Sequence, residues 1–210
     1  MTTRLIIARH GNTFNKGDII TRVGARTDLP LVETERGTKI GEYLAKIGIV
    51  PVKVFAAPLQ RTMETARLAI KAMGGNIPLE ADESFREIDY GPDENRPEEE
   101  VIARIGQDAL DKWNQDAIVP QGWKVDPQGI IKNWLSWGEK IFKNYHNENI
   151  MIVSSNGIIR FAPYLTGNFT AFAQEHDIKV STGSVCIFER EDGEEFWHCR
   201  EWNTKPTKIL

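Results

Sequence analysis

Cysteine is nearly absent from this chain: Cys186 and Cys199 are the only two among 210 residues. A count of two excludes a disulfide framework. No apolar run approaches the length of a membrane span. The first residues, MTTRLIIARHG, carry one arginine and an apolar stretch too short for a secretory leader. The expectation is a cytoplasmic protein with no membrane contact. Charge of one sign is not in excess either: 26 Lys and Arg stand against 30 Asp and Glu, a net of −4. That balance gives no electrostatic case for nucleic acid. A small anionic ligand stays open, because a local arginine cluster outweighs a mildly negative whole. Internal repeats and low-complexity linkers are also missing, so the reading is one domain spanning 1–210.

What is present alternates. Residues 4–10 (RLIIARH) form a short apolar run ending in polar residues, which predicts a buried strand. Ile40, Leu44 and Ile47 lie at helical spacing within 34–47. A second strand is predicted at 53–58 and stopped by Pro58. A helix follows over 59–73 through Leu59, Met63, Ala66 and Ile70, and a third strand over 150–155. GIIRFAPYL (157–165) reads as a helix with a proline after its first turn. Strand–helix alternation with continuous apolar strands predicts a three-layer α/β/α fold, its mostly parallel sheet covered by helices on both faces.

The segment 92–145 reads as a helical cap inserted within that domain. Its two predicted helices run through Val101, Ile105 and Trp113, and, after the Asp126-Pro127 cap, through Trp134, Leu135 and Phe142. The apolar stripe over 130–142 is read as core, with a homodimer face as the alternative. At the other end, Asp192-Gly193 signals a two-residue hairpin. That register puts Cys186 opposite Cys199 on one face with Phe188 and Trp197. Two buried thiols are the preferred reading and a redox switch the minor one.

In such folds ligands bind beyond the carboxyl ends of the strands. Three distant segments should therefore meet there: Arg9-His10-Gly11, Pro58 to Arg61, and Ser154 to Gly157. A lone histidine on a sheet rim is usually only a hydrogen-bonded residue. Beside Arg9, Gly11, Asn12 and Thr13 it suits an anion: guanidinium binds phosphate in a fork, and a neutral imidazole can attack phosphorus. Arg61 falls in the first turn of a helix, where free N–H groups already favour an anion. Glu87, between Phe85 and Ile88, would have its pKa raised by partial burial, which suits a proton donor.

These pieces resemble the histidine phosphatase superfamily, also called phosphoglycerate mutase-like. The matching residues are Arg9-His10-Gly11 with Thr13, Asp28-Leu29-Pro30-Leu31, Pro58-Leu59-x-Arg61-x-x-x-Thr65-Ala66, and Arg86-Glu87 before Tyr90-Gly91. The resemblance implies a phosphomonoester hydrolase acting on a small phosphorylated molecule, without metal or cofactor. It implies that His10 is the nucleophile that becomes phosphorylated, that Glu87 is the general acid, and that Arg9 and Arg61 bind the phosphoryl group.

The chain departs from the family pattern at Val153-Ser154-Ser155-Asn156-Gly157-Ile158-Ile159-Arg160, where the frame is kept but Ser155 replaces a second histidine. Ser155, Asn156 and Asn12 are expected to complete the phosphate site. Losing a charged donor at a transition state costs on the order of 3 kcal/mol. An active but atypical phosphatase is the leading expectation. A catalytically degenerate phosphate-binding or regulatory module is the alternative, and a mutase a third. The acidic run 93–100 next to Glu87 argues mildly against the mutase, with a solvated helix start, where acids are favoured, as the equal alternative. Of the other histidines, His146 and His198 are placed away from the site, and His176 is the one candidate to substitute for the missing side chain.

Overall fold

A computed structural model describes residues 1–209. Leu210, the last residue of the single-domain reading, lies outside the described residues. Strand β1 (Thr2–Arg9) is continuous with the apolar run, and Leu5 to Ala8 are wholly enclosed. Alternation of side chains sends Leu5 and Ile7 to one core and Ile6 and Ala8 to the other. A strand with two cores needs a covering layer on each side.

Five more strands join it: β2 (Lys53–Ala56), β3 (Leu79–Ala81), β4 (Asn149–Ser154), β5 (Val185–Glu191) and β6 (His198–Thr204). Their order across the sheet is β3-β2-β4-β1-β5-β6. The first four run parallel, while β5 and β6 are antiparallel additions at one edge. Helices α1 (Glu35–Lys46) and α2 (Gln60–Ala72) cover one face through Ile40, Leu44, Ala66 and Ile70. They approach closely at Gly41, where a Cβ would lie 2.2 Å from the Ala69 carbonyl oxygen. This is the expected three-layer fold, with the register Arg9↔Ser154 bringing the carboxyl ends of β1 and β4 level.

The middle of the chain differs in detail. One predicted helix through Val101 and Trp113 is two, α3 (Glu98–Ile105) and α4 (Gln107–Asp116). Gly106 between them adopts φ +82°, which breaks the helical path without cost to glycine. Helix α5 (Pro127–Asn144) starts at the expected cap, Asp126 accepting from the Gly129 N–H at 3.1 Å. It lies on the second face of the sheet, with Trp137 edge-on to Phe55 at 4.7 Å. Its indole Trp134 donates to the Ile158 carbonyl at 2.9 Å. The stripe read as core is therefore internal, and Leu135 is the member left exposed.

GIIRFAPYL is not one helix. It divides into α6 (Asn156–Ile159) and a 3-10 turn (Ala162–Thr166), because Pro163 has no N–H to continue the ladder. Helix α7 (Phe169–Glu175) follows.

The hairpin register is corrected by two residues: Phe188, not Cys186, faces Cys199. Trp197 is the cause. It is buried, and its backbone N–H donates to the Leu165 carbonyl at 3.0 Å, drawing 192–197 into a wider loop. Both cysteines are free. Burial pushes both thiols up, Cys199 to about 12, which makes them poor redox groups. Among the described residues no helix is long and apolar enough to cross a membrane.

Candidate active site

The carboxyl ends of β1 and β4 open into a cleft of about 510 Å³ whose lining includes Arg9, His10, Asn12, Glu87, Asn156 and Arg160. Five of the seven predicted site residues are thus brought together on one surface. Arg61 and Ser155 sit directly behind it, fully enclosed.

His10 follows β1, and its loop is pinned from α2: the Gly11 N–H donates to Thr65 Oγ1 at 3.0 Å, and Thr65 donates onward to the Arg61 carbonyl at 2.7 Å. The His10 ring places Nδ1 2.7 Å from the Gly11 carbonyl oxygen. A carbonyl only accepts, so Nδ1 carries the proton and Nε2 keeps its lone pair. Burial, then Arg61 and Arg9, hold the imidazole pKa well below its ordinary 6.5. That shift favours the neutral ring at neutral pH.

The basic side chains are positioned by backbone carbonyls. Arg61 donates from Nη1 to Thr27 at 2.9 Å and from Nη2 to Gly24 at 3.3 Å. Arg9 is anchored on the Val180 carbonyl. Asn156 Oδ1 accepts from the Val180 N–H at 2.8 Å, and Asn12 Oδ1 accepts from Thr182 at 2.7 Å. Both amides thereby aim their NH₂ groups elsewhere. Of eight buried polar side-chain atoms without a partner among the described residues, four belong here: Arg9 Nε, Arg22 Nε, Arg61 Nε and Ser155 Oγ. Native interiors rarely leave such atoms unpaired, so their concentration around one cleft points to an anion.

Glu87 is the buried acid. Its Oε1 accepts from the Ile88 N–H at 2.9 Å and its Oε2 from the Gly157 N–H at 3.2 Å. Desolvation outweighs these donors and the arginines, and the pKa is raised above its ordinary 4.5. Gly157 is required by this arrangement. A Cβ there would lie 2.3 Å from Glu87 Oε1 and 2.8 Å from Ile88 Cγ1. Gly157→Ala is expected to cost about 2 kcal/mol of stability by overpacking, read as a lowered urea midpoint. Unchanged stability would mean that Glu87 moves freely.

Residues 5–205 match the sequence signature of the histidine phosphatase superfamily (branch 1). The chain belongs to this superfamily. Among curated relatives, a 2,3-bisphosphoglycerate-dependent phosphoglycerate mutase of Clavibacter michiganensis is 29% identical over 120 residues, 55% of this chain and 47% of that protein. The match spans about half the length of that relative. Among solved structures, a mycobacterial glucosyl-3-phosphoglycerate phosphatase aligns with a TM-score of 0.78 at 17% identity, over 97% of this chain and 100% of its own. A phosphoglycerate mutase from Bacillus anthracis aligns with a TM-score of 0.77 at 20% identity, over 97% and 94%. At these identities the structural likeness is one of fold.

Within the superfamily frame, two cleft arginines were outside the predicted set. Arg160 closes the Val153–Arg160 motif. It lies enclosed over the Trp113 ring at 3.9 Å from its centroid, and burial lowers its pKa to about 10, leaving it charged at neutral pH. Arg22 lies in an irregular loop with no periodic signal. Its loop is held by Glu94, whose Oε1 accepts from the Gly24 and Arg26 N–H groups at 3.1 and 3.0 Å.

His176 does not replace the missing histidine. It is exposed and packs tilted against Phe172, ring centroids 4.5 Å apart, outside the cleft. His146 contacts Asp192, and His198 contacts Glu194. Among the described residues no three His, Cys, Asp or Glu side chains gather to hold a metal ion.

Proposed function

We propose that the chain hydrolyses phosphomonoesters of a small molecule through a phosphohistidine on His10. The observation that carries this reading is a neutral His10 with Nε2 free, in a cleft whose arginines keep unpartnered donors. In the first step Nε2 attacks phosphorus and the P–O bond to the alcohol breaks. Protonated Glu87 gives its proton to the departing oxygen. In the second step water attacks phosphorus, the N–P bond breaks, and the Glu87 carboxylate takes the proton from water. Arg9 and Arg61 neutralise the equatorial oxygens throughout, and the Gly11 carbonyl steadies the phosphorylated ring. The raised Glu87 pKa and the lowered His10 pKa both enlarge the fraction of protein holding neutral His10 with protonated Glu87.

Steady-state hydrolysis of aryl and alkyl phosphates, with the phosphoenzyme trapped under alkaline denaturing conditions, tests the proposal. Turnover with one phosphoryl group mapped to His10 is expected. A second reading, a binding module without turnover, is favoured by one feature, the enclosed Ser155 hydroxyl without a partner. Turnover absent across the panel, with inorganic phosphate still bound, would establish it. Ser155→His restores a charged donor beside the phosphoryl group. It is expected to raise kcat for an aryl phosphate about tenfold or more. A fall in kcat would show that the pocket has closed around the serine.

A further inference from the structure

The cleft holds more basic charge than its inner wall compensates. Arg9 and Arg160 on the wall, with Arg61 enclosed behind it, face one buried carboxyl group, Glu87, the acid of the proposed mechanism. A phosphate dianion matches that excess. Arg22 is the fourth arginine; its Nε has no partner, but its Nη2 is already engaged. Its Nη2 lies 2.6 and 2.8 Å from the two carboxylate oxygens of Glu98. Its guanidinium stacks near Trp123 and Tyr90, at 5.4 and 5.7 Å from their centroids, so it cannot swing away from the cleft wall without losing both faces.

Glu98 is the first residue of α3 and the one residue of 92–145 that lines the cleft. The turn before it is fixed to the Arg22 loop from both sides: the Arg22 N–H donates to the Arg96 carbonyl at 3.0 Å, and the Asn95 N–H donates to the Arg22 carbonyl at 2.8 Å. The pair is therefore set by backbone geometry and not only by two long side chains. Beside it the wall is apolar, formed by Phe14, Ile20 and Val23, with Ile20 left largely exposed. Lys16 and Lys179 stand at the rim, exposed and screened.

Resting on the reading of this cleft as a phosphomonoester site, we infer that Glu98 is a specificity-determining residue. By occupying Arg22 it confines the site to phosphomonoesters of neutral, partly apolar alcohols. A substrate whose alcohol bears a carboxylate or a second phosphate would need Arg22 and meets Glu98 instead. The alcohol lies along Phe14, Ile20 and Val23, while the phosphate lies on Arg9, Arg61 and Arg160.

Two non-hydrolysable ligands test this without turnover: phenylphosphonate and its para-carboxy derivative, which differ by one carboxylate. Their Kd values are measured by calorimetry on the wild type, Glu98→Gln, and the double variant Arg22→Gln/Glu98→Gln. The wild type is expected to prefer phenylphosphonate. Glu98→Gln is expected to shift the ratio of the two Kd values about tenfold toward the carboxylated ligand. The double variant is expected to lose that gain. A wild type that prefers the carboxylated ligand overturns the inference, as does a ratio in Glu98→Gln within about twofold of the wild type. A gain that survives in the double variant overturns the role of Arg22. Failure of the wild type to bind either phosphonate overturns the phosphate-site reading itself, which a normal binding result with an unmoved ratio does not.

Discussion

His10→Ala is expected to lower kcat/KM for every phosphomonoester by on the order of 10⁴-fold or more, with no phosphoenzyme trapped. The size follows from what remains. On the proposed mechanism Arg9 and Arg61 would still hold the phosphate, but no other imidazole lines the cleft to attack it. His146, His176 and His198 are each engaged elsewhere on the surface. Water would have to attack the ester directly, without the division of one difficult displacement into two easier ones. Removing the ring is expected to leave the fold intact, because the loop is pinned through backbone groups: Gly11 on Thr65, and the Gly183 N–H on the His10 carbonyl at 2.9 Å. Binding of inorganic phosphate to the variant is therefore expected to persist, measured by calorimetry beside the assay. Turnover retained within about tenfold would exclude His10 as the nucleophile.

Glu87→Gln is expected to cost about 10²- to 10⁴-fold, and the cost should depend on the leaving group. An alkyl alcohol needs a proton as it departs, whereas an acidic phenol leaves without one. The loss should be large for alkyl phosphates and small in the first step for activated aryl phosphates. The pH profile gives a second readout. Glu87 has its pKa raised by burial, so its acid form persists above the ordinary carboxyl range and is lost as pH rises through the raised value. His10 has its pKa depressed by burial and by Arg61 and Arg9, so its nucleophilic form is lost only as pH falls through the lowered value. In the wild type, kcat/KM for alkyl phosphates should fall on both sides. In Glu87→Gln the alkaline limb should disappear. An alkaline limb that survives the substitution, with no leaving-group dependence, would place the acid on another residue.

The pieces of the site were legible for a specific reason. Arg9 and His10 stand at a strand end, and Arg61 and Asn156 at helix starts, and those boundaries leave marks in sequence: an apolar run ending at Arg9-His10-Gly11, a proline before Arg61, an Asn-Gly pair opening α6. Arg22 left no such mark, because it lies in a loop whose shape comes from Glu94 and Asn95, more than seventy positions away. Glu98 was legible as acid but not as the partner of Arg22. The hairpin failed for a related reason. Local turn chemistry favoured a tight Asp192-Gly193 connection, and the anchoring of Trp197 on Leu165 overrode it.

By itself, then, the sequence determined the layered α/β architecture, since strands apolar on both faces must be covered on both. It also determined which residue types converge at the carboxyl edge of the sheet. Tertiary structure decided the rest: the enclosure of Arg61 and Ser155 behind the cleft, and the seating of Arg22 between Glu98 and two aromatic rings. Periodicity reports burial because burial repeats along an element. Hydrogen bonds and ion pairs between distant loops repeat along nothing, and only the folded chain brings their partners within reach.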